Sequence, residues 1–158
     1  MKGVYALVIH FPRHTAIDVG ALGKISFDAG MWIYVGSAMG SGSTSIQNRL
    51  KRHFRSEKKI HWHIDRILES QTKLVEAIWS ETDKPAECNL NKALLKTGFF
   101  AVGPNGFGSS DCGNGCESHI MYYIGEGNPI DAVRKAFQSI GLEPMKYSQL
   151  REREKYTH

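Results

Sequence analysis

Two short, strongly apolar segments near the start of the chain constrain its fold most. Residues 4–9 read VYALVI and residues 31–35 read MWIYV, and both are rich in β-branched and aromatic side chains. Uninterrupted apolar runs of this length are typical of buried strands, because helices of a globular domain are usually longer and amphipathic. We therefore expect both segments to be buried strands of the same sheet.

The remaining apolar patterns alternate between strand and helix. Strands are predicted at residues 25–27, 73–79 and 119–124, and helices at residues 45–54, 60–70, 85–97 and 129–140. Ser43 or Thr44 is the expected cap of the first helix. Residues 103–118, rich in Gly, Ser, Asn and Cys, are expected to be irregular. This order of elements favours a mixed α/β or α+β fold over a doubly wound parallel sheet.

Length and composition favour a single globular domain. The chain has 158 residues, and we expect a domain at residues 1–142 followed by a charged tail at residues 143–158. No apolar run is long enough to span a membrane, and the first ten residues lack the features of a secretory signal. Three cysteines are an odd number, which favours a reduced, cytoplasmic setting.

Positive charge is concentrated in one segment. The net charge of +4 is modest, but residues 49–59 (RLKRHFRSEKK) contain a single acidic residue. The cations of this segment are Arg49, Lys51, Arg52, Arg55, Lys58 and Lys59. They would suit contacts with the phosphates of a nucleic acid, or they could form an ordinary solvated helix surface. Charge alone leaves both interpretations open.

Four short motifs resemble those of one enzyme superfamily. Gly3-Val4-Tyr5 and Tyr34-Val35-Gly36 resemble the two signature triplets of the GIY-YIG nucleases. Residues 49–54 (RLKRHF) resemble the arginine helix of that superfamily, and residues 87–92 (ECNLNK) resemble its glutamate helix. The chain as a whole is similar to an uncharacterised branch of the superfamily, which is found alone or fused to DNA-repair glycosylases.

The resemblance implies a fold with one departure from the superfamily pattern. The expected fold is a small mixed, mainly antiparallel β-sheet flanked by helices. Between Tyr5 and Tyr34 lie 28 residues, so residues 19–30 (VGALGKISFDAG) are expected to add a hairpin between the two signature strands. The usual Pro…Asn segment is not visible, and residues 107–119 (FGSSDCGNGCESH) stand in its place.

The resemblance also implies a magnesium-dependent endonuclease, with DNA as the more favoured substrate and a repair enzyme as a possible partner. Tyr34 would be the general base, Tyr5 would relay the proton, and Arg49 with His53 would neutralise the phosphate. Glu87 would hold Mg²⁺ or Mn²⁺, because Mg²⁺ needs few carboxylates when it keeps its waters. A tyrosine pKa of about 10 is high for a base, so cations near the phenols are expected to lower it.

Cysteine and histidine spacing predicts a second metal site. Cys112, Cys116 and His119 follow a C-x₃-C-x₂-H pattern, and Cys88 is a potential fourth ligand. Three thiolates and one imidazole suit tetrahedral zinc. A reduced loop without metal, or a disulfide between Cys112 and Cys116, are alternatives that the spacing leaves open.

Two rivals to the enzyme remain at the level of sequence. One is a catalytically silent nucleic-acid-binding module on the same fold, and the other is a zinc-stapled interaction domain. The joint presence of Tyr5, Tyr34, Arg49 and Glu87 favours the enzyme, because binding alone does not need a carboxylate beside a phosphate.

Overall fold

The computed structural model describes residues 1–55, 59–60, 62–109 and 115–149. The strands are β1 (Gly3–Phe11), β2 (Thr15–Asp18), β3 (Lys24–Phe27), β4 (Gly30–Ala38), β5 (Lys73–Glu81), β6 (Phe100–Val102), β7 (Ile120–Tyr123) and β8 (Met145–Lys146). The helices are α1 (Ile46–Phe54), α2 (His63–Leu68), α3 (Glu87–Lys96) and α4 (Pro129–Ser139). No helix of the described residues is long and apolar enough to cross a membrane.

The strands form one large sheet and one separate hairpin. The sheet has the order β6-β7-β4-β1-β5-β8, and every recorded pairing in it is antiparallel. β2 and β3 form a two-stranded hairpin between the first two strands of the sheet. The predicted fold, a mainly antiparallel sheet flanked by helices with an inserted hairpin, is therefore confirmed.

β1 lies at the centre of the sheet and is buried on both faces. Tyr5, Leu7 and Ile9 face the layer of α1, α2 and the hairpin, whereas Val4 and Ala6 face α3 and α4. An antiparallel sheet with one solvated face would alternate apolar and polar residues. Because helices cover both faces here, apolar residues are required at successive positions, as the run in residues 4–9 shows.

The inserted hairpin contributes aromatic rings to the core. The Phe27 ring stacks on Phe11 with centroids 5.3 Å apart and meets the edge of Trp32 at 5.1 Å. Phe107, from the irregular segment, lies edge-on to Phe27 at 6.3 Å. The hairpin is thus packed onto the α1 side of the sheet and is not a free appendage.

Several local predictions differ from the structure. Ser45 caps α1, since its Oγ accepts from the backbone N–H of Asn48 at 3.3 Å, so the prediction of Ser43 or Thr44 was wrong. The predicted helix at residues 60–70 is restricted to α2. β2, β6 and β8 were not predicted. β8 pairs with β5, and Tyr147 is buried, so the packed fold extends past residue 142.

A buried ion pair joins α1 to α2. The guanidinium of Arg52 donates to both carboxylate oxygens of Asp65, each at 2.8 Å, and Asp65 is fully buried. Asp65 also accepts from the backbone N–H of Trp62 at 3.0 Å, which satisfies an open donor at the start of α2. Arg52 therefore links the two helices, and its predicted contact with nucleic acid stays a prediction.

Replacing Asp65 should destabilise the protein strongly. Asp65→Ala leaves the Arg52 charge without its partner and uncaps α2, so we expect the free energy of unfolding to fall by about 3 kcal/mol. Urea denaturation measures this loss. Asp83→Ala, an exposed carboxylate, is the matched control and should change stability by less than about 0.5 kcal/mol. Equal stability of the two variants would contradict a structural role for the pair.

Candidate active site

The two signature triplets meet across a strand pair. Antiparallel pairing of β1 with β4 sets Tyr5 opposite Gly36. A Cβ atom on Gly36 would lie 2.5 Å from both Cζ and the hydroxyl oxygen of Tyr5, so no other residue leaves room for the phenol. Gly3 is equally constrained, because a Cβ there would lie 2.5 Å from the carbonyl oxygen of Ser80. Both glycines therefore serve close packing.

α1 carries two polar side chains to Tyr5. The Tyr5 hydroxyl lies 2.7 Å from Nε2 of His53, and both residues are buried. Arg49, one helical turn earlier, lies close enough to Tyr5 for its charge to lower the pKa of the phenol, and its Nη1 donates to the carbonyl oxygen of Ser37 at 2.8 Å. Residues four apart share a helix face. The structure therefore brings Tyr5, Arg49 and His53 together.

Glu87 reaches the same place from the other helical layer. It opens α3, and its Oε2 accepts from the Ser37 hydroxyl at 3.0 Å. Ser37 thus contacts Arg49 through its carbonyl and Glu87 through its hydroxyl. His119 donates from Nδ1 to the other carboxylate oxygen of Glu87 at 2.9 Å. The carboxylate consequently faces the arginine and the phenols, and it is not isolated on the far side of the sheet.

Tyr34 completes the group in a tight aromatic pocket. Its ring is edge-on to Phe107 with centroids 6.1 Å apart, and a Cβ on Gly108 would lie 2.9 Å from the Tyr34 ring. Burial raises the pKa of Tyr34 far above its ordinary value, the charge of Glu87 raises it further, and Arg49 offsets part of the increase. The phenol of Tyr34 therefore keeps its proton at neutral pH.

Tyr5 behaves in the same way. Burial raises the pKa of Tyr5 well above its ordinary value, the neighbouring Tyr34 adds to the increase, and Arg49 opposes it. The sequence-based expectation was that nearby cations would lower the pKa values of the two phenols. Arg49 does lower both pKa values, but the net shift is upward, because desolvation of two buried phenols outweighs one guanidinium.

The cations of residues 49–59 occupy different environments. Lys51, Arg55 and Lys59 are exposed, Arg52 is tied to Asp65, and Lys58 lies outside the described residues. Together with Gly42, Asn48 and Arg52, the first two line a groove beside α1. Part of the predicted set is therefore accessible, and its contacts with nucleic acid stay a prediction.

Trp62 and Ser37 are two neighbours of the site that the sequence did not reveal. Trp62 is 39% exposed, and the guanidinium carbons of Arg49 and Arg52 lie 4.7 and 4.4 Å from its ring centroid. Contacts of this kind orient a guanidinium without consuming all of its donors. The position of Ser37 directly after the Tyr34-Val35-Gly36 triplet could have indicated its place in the site.

Beside Glu87 lies a potential metal-binding group. The ligand atoms of Cys88, Cys116 and His119 are all within 4.8 Å of one another. Cys112, the fourth predicted ligand, lies outside the described residues. Cys116 is a free cysteine, so the alternative disulfide between Cys112 and Cys116 is wrong. Cys88 is disulfide-bonded in this structure, so metal binding through its sulfur requires the reduced thiol.

Filling the space above Gly36 should be costly because of Tyr5 specifically. Gly36→Ala overpacks the site, and we expect a loss of about 1–3 kcal/mol in the free energy of unfolding. Replacing Tyr5 by Leu in the same chain removes the ring that clashes, so the double variant should lose at least about 0.5 kcal/mol less than the sum of the two single variants. Strict additivity in urea denaturation would show that the close approach does not exist.

The buried phenols should make the protein sensitive to alkali. Their folded pKa values are raised, so their contribution to stability is fully present below the ordinary value of about 10 and is lost as the pH rises towards the folded values. Between pH 9 and pH 11 we expect the wild type to lose about 2–3 kcal/mol more than a Tyr5→Phe, Tyr34→Phe variant. Urea denaturation at both pH values measures the difference, and parallel losses would refute it.

Comparison with known proteins gives a family without an assigned activity. No curated protein and no solved structure matches the chain. Residues 4–142, which include every described group of the candidate active site, match the family described as a domain of unknown function, DUF123. The chain therefore belongs to the DUF123 family.

Proposed function

We propose that this protein is a cytoplasmic, magnesium-dependent endonuclease of the GIY-YIG type that hydrolyses nucleic-acid phosphodiester bonds, with DNA as the favoured substrate. The observation that carries the proposal is one cluster of polar side chains. The Tyr5 hydroxyl hydrogen-bonds His53, the charge of Arg49 acts on the Tyr5 phenol, and Ser37 connects Arg49 to Glu87. These residues would supply a proton acceptor, a phosphate-binding cation and a metal-binding carboxylate from both helical layers.

Glu87 has the capacity to hold a metal in addition to its protein contacts. A carboxylate offers about four acceptor positions, and the hydrogen bonds from Ser37 and His119 use two of them. Magnesium retains most of its waters and needs one or two carboxylates. When bound, the ion would supply positive charge to the leaving oxygen of the phosphodiester.

The raised pKa values of the phenols restrict how the attacking water loses its proton. A standing phenolate is unfavourable at both positions, so each tyrosine must donate its own proton as it accepts another. Tyr5 points its hydroxyl at Nε2 of His53, which accepts in the matching tautomer. We infer that the proton moves from water through Tyr34 and Tyr5 to His53.

The surface around the network is suited to a polyanion. Lys51, Arg55 and Lys59 are exposed near the groove, and Arg49 presents a planar fork of donors that matches phosphate oxygens. Contacts to phosphates fix position and carry no base sequence. We therefore infer recognition of nucleic-acid shape, in repair or processing, with a partner repair enzyme supplying further selectivity.

A silent binding module is the second candidate, and one observation favours it. Arg49 already has protein partners in the Ser37 carbonyl and the face of Trp62. An arginine held in this way would also serve as a purely structural link between α1 and the sheet. The zinc-stapled interaction domain is favoured only by the thiol and imidazole ligands near Glu87, for which zinc is the proposed metal.

Changing Arg49 separates the enzyme from the binding module. Arg49→Lys keeps the charge but loses the planar fork, so we expect Mg²⁺-dependent cleavage to fall at least about 100-fold, the loss typical of removing one donor to transition-state charge. Gel analysis of branched, single-stranded and duplex DNA and of RNA, each with Mg²⁺ and with EDTA, measures cleavage and binding together.

Lys135→Ala is the control, because Lys135 is exposed on α4, on the opposite face of the sheet. It should retain both cleavage and the wild-type melting curve. Binding of these nucleic acids without cleavage by the wild type in Mg²⁺ or Mn²⁺ would select the silent module. Full cleavage by Arg49→Lys would show that the assigned roles are wrong.

A further inference from the structure

His119 stands between two groups of different chemistry. Its Nδ1 faces the carboxylate of Glu87 at 2.9 Å, and its Nε2 faces Sγ of Cys88 at 3.9 Å. The imidazole is 2% exposed, so neither nitrogen can turn to solvent without rearranging the site. A buried histidine fixed at both nitrogens needs a partner of the correct type on each side.

The carboxylate decides which nitrogen can bind a metal. An ionised carboxylate only accepts hydrogen bonds, so Nδ1 must carry the proton and Nε2 is left with a lone pair. That lone pair points towards the sulfur side of the ring. Metal-binding histidines in proteins commonly donate their other ring N–H to a carboxylate, which orients the ring and increases its basicity.

The distances on the sulfur side suit coordination better than a hydrogen bond. Zinc with one thiolate and one imidazole in tetrahedral geometry separates the two ligand atoms by about 3.6 Å, from its usual bond lengths. Cys88 is disulfide-bonded in this structure, so its sulfur has no hydrogen to donate, and its 3.9 Å distance from Nε2 is close to the separation that the reduced thiolate would need as a zinc ligand. The sulfur of Cys116 lies within 4.8 Å of both atoms.

We propose that the reduced protein binds zinc through Cys88, Cys116 and Nε2 of His119, and that the bound ion holds Glu87 in place through the Nδ1–H of the same histidine. Each of the two thiols loses its proton as it binds. These three residues supply three of the four tetrahedral positions that zinc prefers. The effect on Glu87 rests on the proposed function, but the zinc site itself does not.

This arrangement couples two metals of opposite preference. The soft thiolate site selects zinc. The carboxylate of Glu87, which the His119 ring connects to that site through one hydrogen bond, suits Mg²⁺. Zinc on Nε2 would fix the ring in the orientation that presents Nδ1–H to Glu87. Coupling of this kind is reciprocal, so removing the negative charge of Glu87 must weaken zinc binding as well. The reciprocal effect can be measured without any nuclease activity.

The test measures zinc in the full-length protein kept reduced with a phosphine. We expect about one zinc per chain by elemental analysis, and none in Cys116→Ser or His119→Asn. Competition with a chromophoric chelator should show zinc bound about 10–100-fold more weakly by Glu87→Gln than by the wild type. Glu117→Gln, a carboxylate two residues from His119, is the matched control and should bind zinc as the wild type does.

Two results would overturn the proposal. One is reduced, folded wild-type protein without zinc, and the other is equal zinc affinity of Glu87→Gln and Glu117→Gln. Circular dichroism checks that each variant is folded. If Cys116→Ser is unfolded, the near-isosteric Glu87→Gln still tests the proposal. If the zinc measurements come out as expected but the protein does not cleave nucleic acid, only the proposed nuclease activity is rejected. If the zinc-free protein cleaves as well as the zinc-bound protein, only the coupling between zinc and Glu87 is rejected.

Discussion

The antiparallel pairing of β1 with β4 determines where every group of the candidate active site lies. It sets Tyr5 over Gly36, where only a residue without a side chain can be accommodated. It also places Ser37, a partly buried residue near the end of β4, within reach of α1 on one side and α3 on the other. A shift of one residue in this register would turn Tyr5 to the opposite face and separate the two layers of polar groups.

The site is built from buried polar groups, and their burial has a definite electrostatic consequence. Tyr5 and Tyr34 are held as neutral hydroxyls by desolvation, and Arg49 supplies the compensating charge. Such a network stabilises the fold only while each member keeps its partners. The same residues that would perform chemistry therefore also join α1 to the sheet. A substitution at Arg49 would affect both stability and function, whereas a substitution at an exposed lysine need not affect stability.

The sequence predicted elements that depend on local patterns, but it did not predict contacts between residues far apart in the chain. The strands at the centre of the sheet, α1 and α4 follow from apolar periodicity and capping residues, and the four motifs pointed to Tyr5, Arg49 and Glu87. Ser37 and the bond between His119 and Glu87 could not be predicted, because side chains 50 and 32 residues apart meet only after the sheet has formed. The two- and three-residue strands at the edges are too short to show periodicity.

The hairpin between the signature strands influences the candidate active site, although it lies outside the main sheet. Phe27 supports the edge of Phe107, and Phe107 in turn forms a wall for Tyr34. Because rings in contact move as a packed stack, a change in hairpin length or sequence would be felt at a phenol that the hairpin does not itself touch. Relatives that differ in this insertion would thus possess differently shaped cavities around an unchanged set of polar residues, which offers a route to divergent substrate choice without any alteration of the reacting groups.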